Sequence, residues 1–477
     1  MRKKGSVTVF LTLSLSLLLS LICASIESVR MASARTQILN GMDIGLYSLF
    51  GQYDKELLTD YDLFTLDGSR GGGQLNLAAV CDELEAYMNP VLKQNSQKLT
   101  LCQSGLTGYR LLTDQKGEAF YQQIVGYMQE TLGSQGIQLL LGRMSERQEK
   151  TAQADQSANQ AQSKGSIDRY DSEMNQASEK SQQAAEEAQV VPQAPPAKNP
   201  ITIMKRIMKR GVLELVLPGG NGLSTKEIEK GTLVSGRGLQ QGMEMPDGMT
   251  VENSYTSEVL FQQYLMEHLG SYAEPSSTGL AYQVEYIFGG KDSDEDNLKA
   301  VASKLLFIRE GVNFACLMAD NVKRSEAQAL ATAIASGFLV PPAAVIIEAA
   351  LILCWAFAES VLDVRELFAG GRIPLVKSSG DWQISLENLP DLMEGLDSMR
   401  RNDEKGMSYK DYLQVLVLTV SKEKKVMRAM DMIENTIREK GRKNFCMDSC
   451  IVALEAFADV KANKKKDFQV IRQYCYE

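Results

Sequence analysis

The chain has 477 residues, which is too long for one ordinary compact core and predicts two folded units with connecting segments. Its 51 Lys and Arg residues against 60 Asp and Glu give a net charge of -9, which argues against a general nucleic-acid-binding protein with its basic surface. The single histidine, His268, excludes every zinc site or catalytic mechanism that needs two imidazoles from this chain.

The first predicted element is a membrane-spanning helix. Residues 5–26 carry no charge, and a helix of that length spans roughly 33 Å, enough to cross the hydrocarbon core of a bilayer. The run is longer than the apolar region of a secretory leader, and no small-x-small cleavage site closes it, so we expect it to be retained as an anchor. Arg2, Lys3 and Lys4 precede it, and cationic flanks stay in the cytoplasm. This predicts a cytoplasmic tail (1–5), an anchor (6–26) and an extracytoplasmic remainder in a single-pass cell-membrane protein.

Small residues recur every fourth position in the anchor, at Thr8, Thr12, Ser16, Ser20 and Ala24. This spacing lets two membrane helices approach closely, so one interpretation is a stripe that packs against a partner helix. The other interpretation is that Ser and Thr are merely tolerated among the leucines.

Residues 27–145 are predicted to form an N-terminal extracytoplasmic helical region. The anchor helix continues past the membrane and ends near residues 40–51, a short strand follows at 62–66, and helices with apolar faces occupy much of 75–145. Residues 146–200 are rich in Gln, Ala and Ser and then in Pro. This stretch cannot bury enough apolar surface to form a core, which predicts a linker or a solvated helix.

Residues 201–477 are predicted to form a C-terminal α+β domain. It opens with a basic amphipathic turn at 201–210, which either contacts anionic lipid head groups or presents a solvated face over a core contact. Residues 343–364 are interpreted as a buried helix, with membrane insertion as the alternative. The remaining pattern predicts helices at 257–269, 297–320, 324–337, 408–441 and 448–461, a strand at 281–290, and a hairpin at 373–386. The fold class is therefore α+β and mostly helical.

The cysteines predict no metal site. Cys23 lies in the anchor, which leaves an odd number outside and at least one unpaired thiol. Cys81 with Cys102, and Cys475 with Cys446 or Cys450, are candidate disulfides. The sequence has no phosphate-binding G-x4-G-K-S/T loop, and we assign no catalytic residue, cofactor or metal.

Several stretches resemble a known family. The segment "KKGSVTVFLTLSLSLLLSLICASIESVRM" resembles the N-terminal anchors of proteins associated with tight-adherence (Tad, type IVb-like) pilus loci of Gram-positive bacteria. The segments "YDLFTLDG", "YQVEYIFGG", "CWAFAESVLDVRELFAGGRIPLVKSSGDW" and "SYKDYLQVLVLTV" are similar to a large uncharacterised family of such proteins. The resemblance implies a membrane-anchored exterior protein of unknown activity that helps to build or hold a surface appendage or secretion complex. Together with the retained anchor, the short cytoplasmic tail, the spacer and the two outer units, it leads us to expect a non-catalytic structural or accessory component of a pilus or secretion assembly, with protein partners contacted through the membrane helix and the outer domain.

One position departs from the pilin pattern. Pilin subunits usually carry Glu at the fifth position after a glycine cleavage site, whereas counting from Ser6 after Gly5 leads to Phe10. We therefore expect a fixed accessory subunit rather than a polymerising pilin. The alternatives are a stalked surface module for ligand binding or adhesion, and a cell-wall hydrolase that acts through carboxylates.

Overall fold

The computed structural model describes residues 4–94, 99–164, 200–217, 222–243, 254–337, 343–391, 406–462 and 466–476, together with positions 172, 175, 176, 179 and 245. Helices dominate these residues, which confirms the mostly helical α+β class. Within the described residues the α-helices are α1 (Lys4–Phe50), α2 (Lys55–Tyr61), α3 (Leu77–Lys93), α4 (Asp114–Lys164), α5 (Pro200–Met208), α6 (Val212–Val216), α7 (Tyr255–His268), α8 (Gln283–Gly289), α9 (Asp294–Ala319), α10 (Asn321–Gly337), α11 (Ala344–Phe368), α12 (Tyr409–Leu418) and α13 (Lys422–Glu439). The strands are β1 (Leu66–Asp67), β2 (Leu99–Leu111), β3 (Arg372–Ile373), β4 (Met407–Ser408), β5 (Cys450–Ala462) and β6 (Lys466–Cys475).

The chain divides into two compact units that do not follow chain order. The first unit comprises Met1–Tyr127, Gly231–Glu252 and Ile437–Glu477, and the second comprises Met128–Lys230 and Asn253–Thr436. The boundaries predicted at 27–145, 146–200 and 201–477 run in sequence order and stay predictions. Within the stretch predicted as linker, α4 continues to Lys164, and Thr151 and Ala154 on it are buried.

The first unit is an antiparallel sheet covered on one face by α1 and α3. Strand β5 is central: β2 pairs along one side, while β1 and β6 pair with successive parts of the other. The apolar residues of α1 beyond the anchor recur at helical spacing and are buried with one face of α3 and alternate residues of β5. This core contains Ile38, Met42, Leu46, Leu84, Met88, Leu454, Ala456, Ala458 and Val460.

Strand β5 corrects one prediction. We expected a helix at 448–461; the segment "CIVALEAFADV" contains three Ala residues, and Ala favours helices. The segment instead pairs with β2 and β6 over its length, and Ala456 and Ala458 are buried while Glu455, Phe457 and Asp459 are half-buried. Long-range pairing on both sides outweighs local helix propensity here.

The second unit is built around α11. This helix packs against α9, α10, α5 and α6, and 83% of its most apolar window is buried within the protein. The interpretation of 343–364 as a buried helix is thus supported over membrane insertion. In α5, Ile201, Met204 and Ile207 are buried, which favours the core contact over lipid head groups for the basic turn.

Two further predictions in this unit are wrong. The expected strand at 281–290 is helix α8, which ends at Gly290 in the left-handed conformation at φ 62°. The expected hairpin at 373–386 does not form: β3 pairs with the distant β4, and Ser379–Asp381 forms a short 3-10 turn. The segment 281–290 contains Tyr282, Val284 and Tyr286, residue types that are common in strands. Residue type therefore misled the assignment.

Candidate functional site

The N-terminal part of α1 presents an unbroken apolar surface. Between Val7 and Val29 its large apolar side chains are 49% to 71% exposed. Water-exposed patches of this size mark interaction surfaces, and a helix that satisfies its own backbone hydrogen bonds is one of two structures able to span a bilayer. The helix is long and apolar enough to cross a membrane, which is compatible with the predicted anchor.

The predicted packing stripe winds around this helix. Successive α-helical residues are about 100° apart, so positions four apart shift by about 40°, and Thr8 and Ala24 lie about 160° apart. The Thr12 hydroxyl donates to the Val9 carbonyl at 3.0 Å, and the Ser20 hydroxyl donates to the Leu17 carbonyl at 3.2 Å. These hydroxyls need no partner helix to enter lipid. The stripe, including Ser16, stays a prediction, and a partner following it would cross in the right-handed sense.

The anchor is continuous with the folded part of α1. The 47-residue helix is roughly 70 Å long at about 1.5 Å per residue, and its C-terminal half packs into the sheet. The Phe50 ring lies 4.7 Å from the ring of Tyr474 and 4.8 Å from that of Tyr476, between centroids. Arg472 Nε also donates to Asp43 Oδ1 at 2.9 Å. No break in the helix separates the apolar segment from the first unit.

The eight cysteines are free thiols in this structure, and the predicted disulfides stay predictions. Cys81 lies on α3 and Cys102 on the neighbouring β2. Cys475 lies opposite Ala453 in the β5–β6 register, three residues from Cys450 and therefore about 10 Å along the strand. A disulfide joins Cα atoms that are less than about 7 Å apart, so the register argues against a bond between Cys475 and Cys450. A bond between Cys475 and Cys446 requires the loop before β5 to approach Cys475.

A buried charge network, formed by Arg309, Glu359, Asp363 and Lys377, lies inside the second unit. Arg309 on α9 donates through Nε and Nη2 to Asp363 Oδ2 at 2.9 and 2.8 Å. Lys377, which follows β3, lies 2.5 Å from Asp363 Oδ1 and also binds Glu359 on α11. The side chains of all four residues are fully buried in their ion pairs.

The network is electrically balanced and anchors backbone. Burial alone would raise the pKa of Asp363, but the charges of Arg309 and Lys377 outweigh it and hold this pKa below its usual value. Arg309 Nη1 also donates to the carbonyls of Pro374 and Leu375 at 3.1 and 2.8 Å. The network therefore fixes the segment after β3 against α9 and α11.

A second buried carboxylate, Glu285 on α8, is only partly satisfied. Its Oε1 accepts from the Tyr409 hydroxyl at 2.6 Å and from the Tyr272 amide at 2.8 Å, whereas Oε2 is buried without a hydrogen bond. Burial raises the pKa of Glu285 to about 7. The Tyr409 ring packs against those of Tyr272 and Phe368 beside this carboxyl, which can hold a proton.

The second unit also contains a cavity of about 890 Å³, partly open to solvent. It is lined by one face of α4, one face of α9, the segment 374–376 that the network anchors, and Gly406 with Met407. Its lining includes Arg143, Arg147, Lys150, Ala315, Cys316, Ala319 and Leu375. Cys316 is half-buried at this cavity, whereas Cys354, on α11, is buried.

Sequence reasoning missed the network, Glu285 and the cavity. The available signal was an acidic residue in a mostly apolar helical run, such as Glu359 or Asp363 in "CWAFAESVLDV". Such residues are rarely buried unless paired, but the pairing partner cannot be read from spacing. In the part of the chain that the structure describes, no group of three or more His, Cys, Asp or Glu side chains could hold a metal ion.

Comparison with known proteins gives one family and no relative of assigned activity. The family described as "Family of unknown function (DUF5702)" matches residues 192–462. No curated protein and no solved structure matches the chain. The matched range contains the buried charge network and β5, and it excludes the anchor and β6.

Proposed function

The chain belongs to the DUF5702 family of unknown function, and we propose on that premise that it is a membrane-anchored structural or accessory component of a Tad-like pilus or secretion assembly. In this proposal it performs no catalysis. The N-terminus is cytoplasmic, the helix crosses the cell membrane once, and the bulk of the chain is extracytoplasmic.

The observation that carries the proposal is the two-part surface of α1. Its first half exposes apolar side chains of membrane-spanning length, and its second half is buried in the sheet of the first unit. A stiff helix that enters a folded unit without a linker transmits position and force from the membrane to that unit. This suits a component that holds other proteins at a fixed distance from the lipid better than it suits an enzyme released to diffuse.

The charge pattern supports the orientation. Arg2, Lys3 and Lys4 flank the anchor on its N-terminal side, and the positive-inside rule places them in the cytoplasm. The resemblance of the N-terminal segment to anchors from Tad pilus loci names the class of assembly.

A complementation experiment tests the proposal. Deleting the gene should reduce surface fibres or the secreted product, and expressing the full chain should restore them. A chain whose residues 1–30 are replaced by a cleavable secretory leader should reach the exterior, as immunoblotting would show, yet fail to restore assembly. Unchanged fibre production and adhesion in the deletion strain would reject the proposal.

The alternative is a stalked surface module for ligand binding or adhesion. The cavity in the second unit favours it, because concave sites of this volume commonly bind small molecules. A deletion strain that assembles normal fibres but no longer attaches to a defined surface would support this alternative.

A further inference from the structure

Small residues on α9 form one wall of the cavity. On α9, the lining positions 312, 315, 316 and 319 follow helical spacing, and both Ala315 and Ala319 are exposed. The α4 side is mixed: Ala154 and Ser157 are small, and Arg143, Glu146, Arg147, Lys150 and Gln153 are long and polar or charged. The small side chains on α9 leave this part of the groove unfilled, and a larger apolar residue at 315 or 319 would close it.

The segment 374–376, which forms another wall of the cavity, is fixed by hydrogen bonds from Arg309. Residues 374–376 line the cavity, and the carbonyls of Pro374 and Leu375 accept from Arg309 Nη1. Arg309 is itself fixed by the ion pair with Asp363, 2.8 Å away. A wall held by buried, charge-assisted hydrogen bonds is pre-organised, which lowers the entropy lost when a ligand binds.

The rim on α4 carries spare positive charge. Arg147 is already engaged, 2.7 Å from Asp411 and 3.1 Å from Gln414. Among the described residues, Lys150 pairs only with Glu146 on its own helix, in an exposed ion pair of a kind that is easily exchanged. Arg143 has no ion pair or hydrogen bond with any described residue. An apolar groove with a free guanidinium at its rim complements an apolar chain that ends in an anion.

We propose that this cavity binds a single-chain anionic amphiphile from the lipid surface, with its acyl chain in the groove and its carboxylate or phosphate head group at Arg143. The volume lies within the range of about 300–1,000 Å³ typical of small-molecule sites. The lipid source rests on the membrane anchoring in the proposed function, whereas the site rests on the second unit alone.

Photolabelling of the full chain tests the site. The protein is reconstituted in nanodiscs of zwitterionic lipid, exposed to a fatty acid carrying a diazirine at its chain end, irradiated, and mapped by peptide mass spectrometry. We expect label on peptides that contain residues 312–319 and 374–376. Label on the anchor peptide, residues 5–26, measures partitioning into lipid and serves as the internal reference in every sample.

Matched variants separate the site from general adsorption. Arg143→Glu should lower the ratio of cavity label to anchor label by about fivefold, because a surface attraction becomes a repulsion. Ala319→Phe, at an exposed position, should block the groove and remove the cavity label. Arg210→Glu changes another exposed arginine of the same unit, whose partner is Glu214, and should leave the ratio unchanged.

Competition identifies the ligand chemistry. Dodecanoate should displace the cavity label, whereas dodecanol and inorganic phosphate should not. A ratio that is unchanged in both Arg143→Glu and Ala319→Phe overturns the proposal, as does equal displacement by dodecanol. Displacement by an acidic peptide but not by dodecanoate would assign the groove to a protein partner instead. Failure of fibre assembly in the complementation experiment bears on the proposed function and leaves this ratio unaffected.

Discussion

Lys377 supplies half of the positive charge in the buried charge network. It faces the carboxylates of Glu359 and Asp363, and all three side chains are excluded from water. Removing one member of such a cluster leaves an uncompensated buried charge, which is far more costly than losing an exposed ion pair.

We therefore expect Lys377→Met to lower the free energy of unfolding by about 3–5 kcal/mol. Urea unfolding followed by tryptophan fluorescence measures this, because Trp355 and Trp382 are the two tryptophans of the chain and the Lys377 ammonium lies 5.5 Å from the Trp382 ring centroid. Lys410→Met is the control, since its partner Glu274 is 77% exposed and the loss should stay below about 1 kcal/mol. If both substitutions lowered the free energy of unfolding equally, burial would not be what makes the Lys377 ion pairs costly to lose.

Glu285 predicts a pH dependence with a definite sign. Burial raises its pKa from 4.5 to about 7 in the folded state, so the folded chain binds more protons than the unfolded chain between these values. Stability from the protonated carboxyl is therefore fully present below pH 4.5 and is lost as the pH rises through 7. The loss is on the order of 3 kcal/mol.

Glu285→Gln should reduce this dependence, because the amide cannot ionise. The measurement is the free energy of unfolding at pH 5 and pH 8 for both proteins, and the difference should be smaller in the variant. Burial also raises the pKa of Glu310 to about 7, so part of the wild-type dependence should remain. A variant with the full wild-type dependence would show that Glu285 is not protonated in the fold.

At the scale of elements, two helical glycines differ in the space around them: Gly45 lies against a neighbouring helix and Gly126 does not. A Cβ at Gly45 of α1 would lie 2.7 Å from Met88 Cγ and 3.1 Å from Leu84 Cδ1 on α3. A Cβ at Gly126 of α4 would meet nothing within 4 Å. The close approach of α1 to α3 therefore leaves no free space for a side chain at position 45. Position 126, on α4, has space for one.

The same substitution should have opposite effects at these positions. Gly45→Ala should destabilise the first unit by about 1–3 kcal/mol through overpacking, whereas Gly126→Ala should stabilise it by about 0.5–1 kcal/mol through helix propensity. Thermal unfolding monitored by circular dichroism reports both. Stabilisation by Gly45→Ala would mean that α1 and α3 are packed less closely than in this structure.

At the scale of the whole molecule, the predicted extracytoplasmic location can be tested by asking which thiols react from outside the cell. Cys102 and Cys475 are exposed, Cys354 is buried, and Cys23 lies in the anchor. After mild reduction of intact cells, a membrane-impermeant maleimide should label Cys102 and Cys475 but not Cys23, and it should reach Cys354 only after denaturation.

Two outcomes would contradict this topology. Labelling that appears only after cell lysis would place the folded units in the cytoplasm. Recovery of the chain from culture fluid without its first thirty or so residues would show that the apolar segment is a cleaved leader. Mass spectrometry of the labelled peptides and of the mature N-terminus distinguishes the two.

Local composition and periodicity were enough to predict helices whose apolar pattern is set by residues close together in the sequence. The uncharged run of α1, its continuation to Phe50, and helices α9, α10 and α11 all follow from patterns within one segment. Such patterns reflect which face of a helix leaves water, and this depends on neighbours in the sequence. The mostly helical class followed for the same reason.

Three-dimensional contacts were required wherever the environment comes from distant residues. The sequence of β5 favours a helix until β2 and β6 pair with it, and β3 finds its partner β4 more than thirty positions away. Arg309 and Asp363 are 54 residues apart, and the cavity joins four segments that no spacing relates. Burial and charge pairing are properties of the folded arrangement, so a linear pattern predicts that an acid within an apolar helix needs a partner but cannot identify that partner.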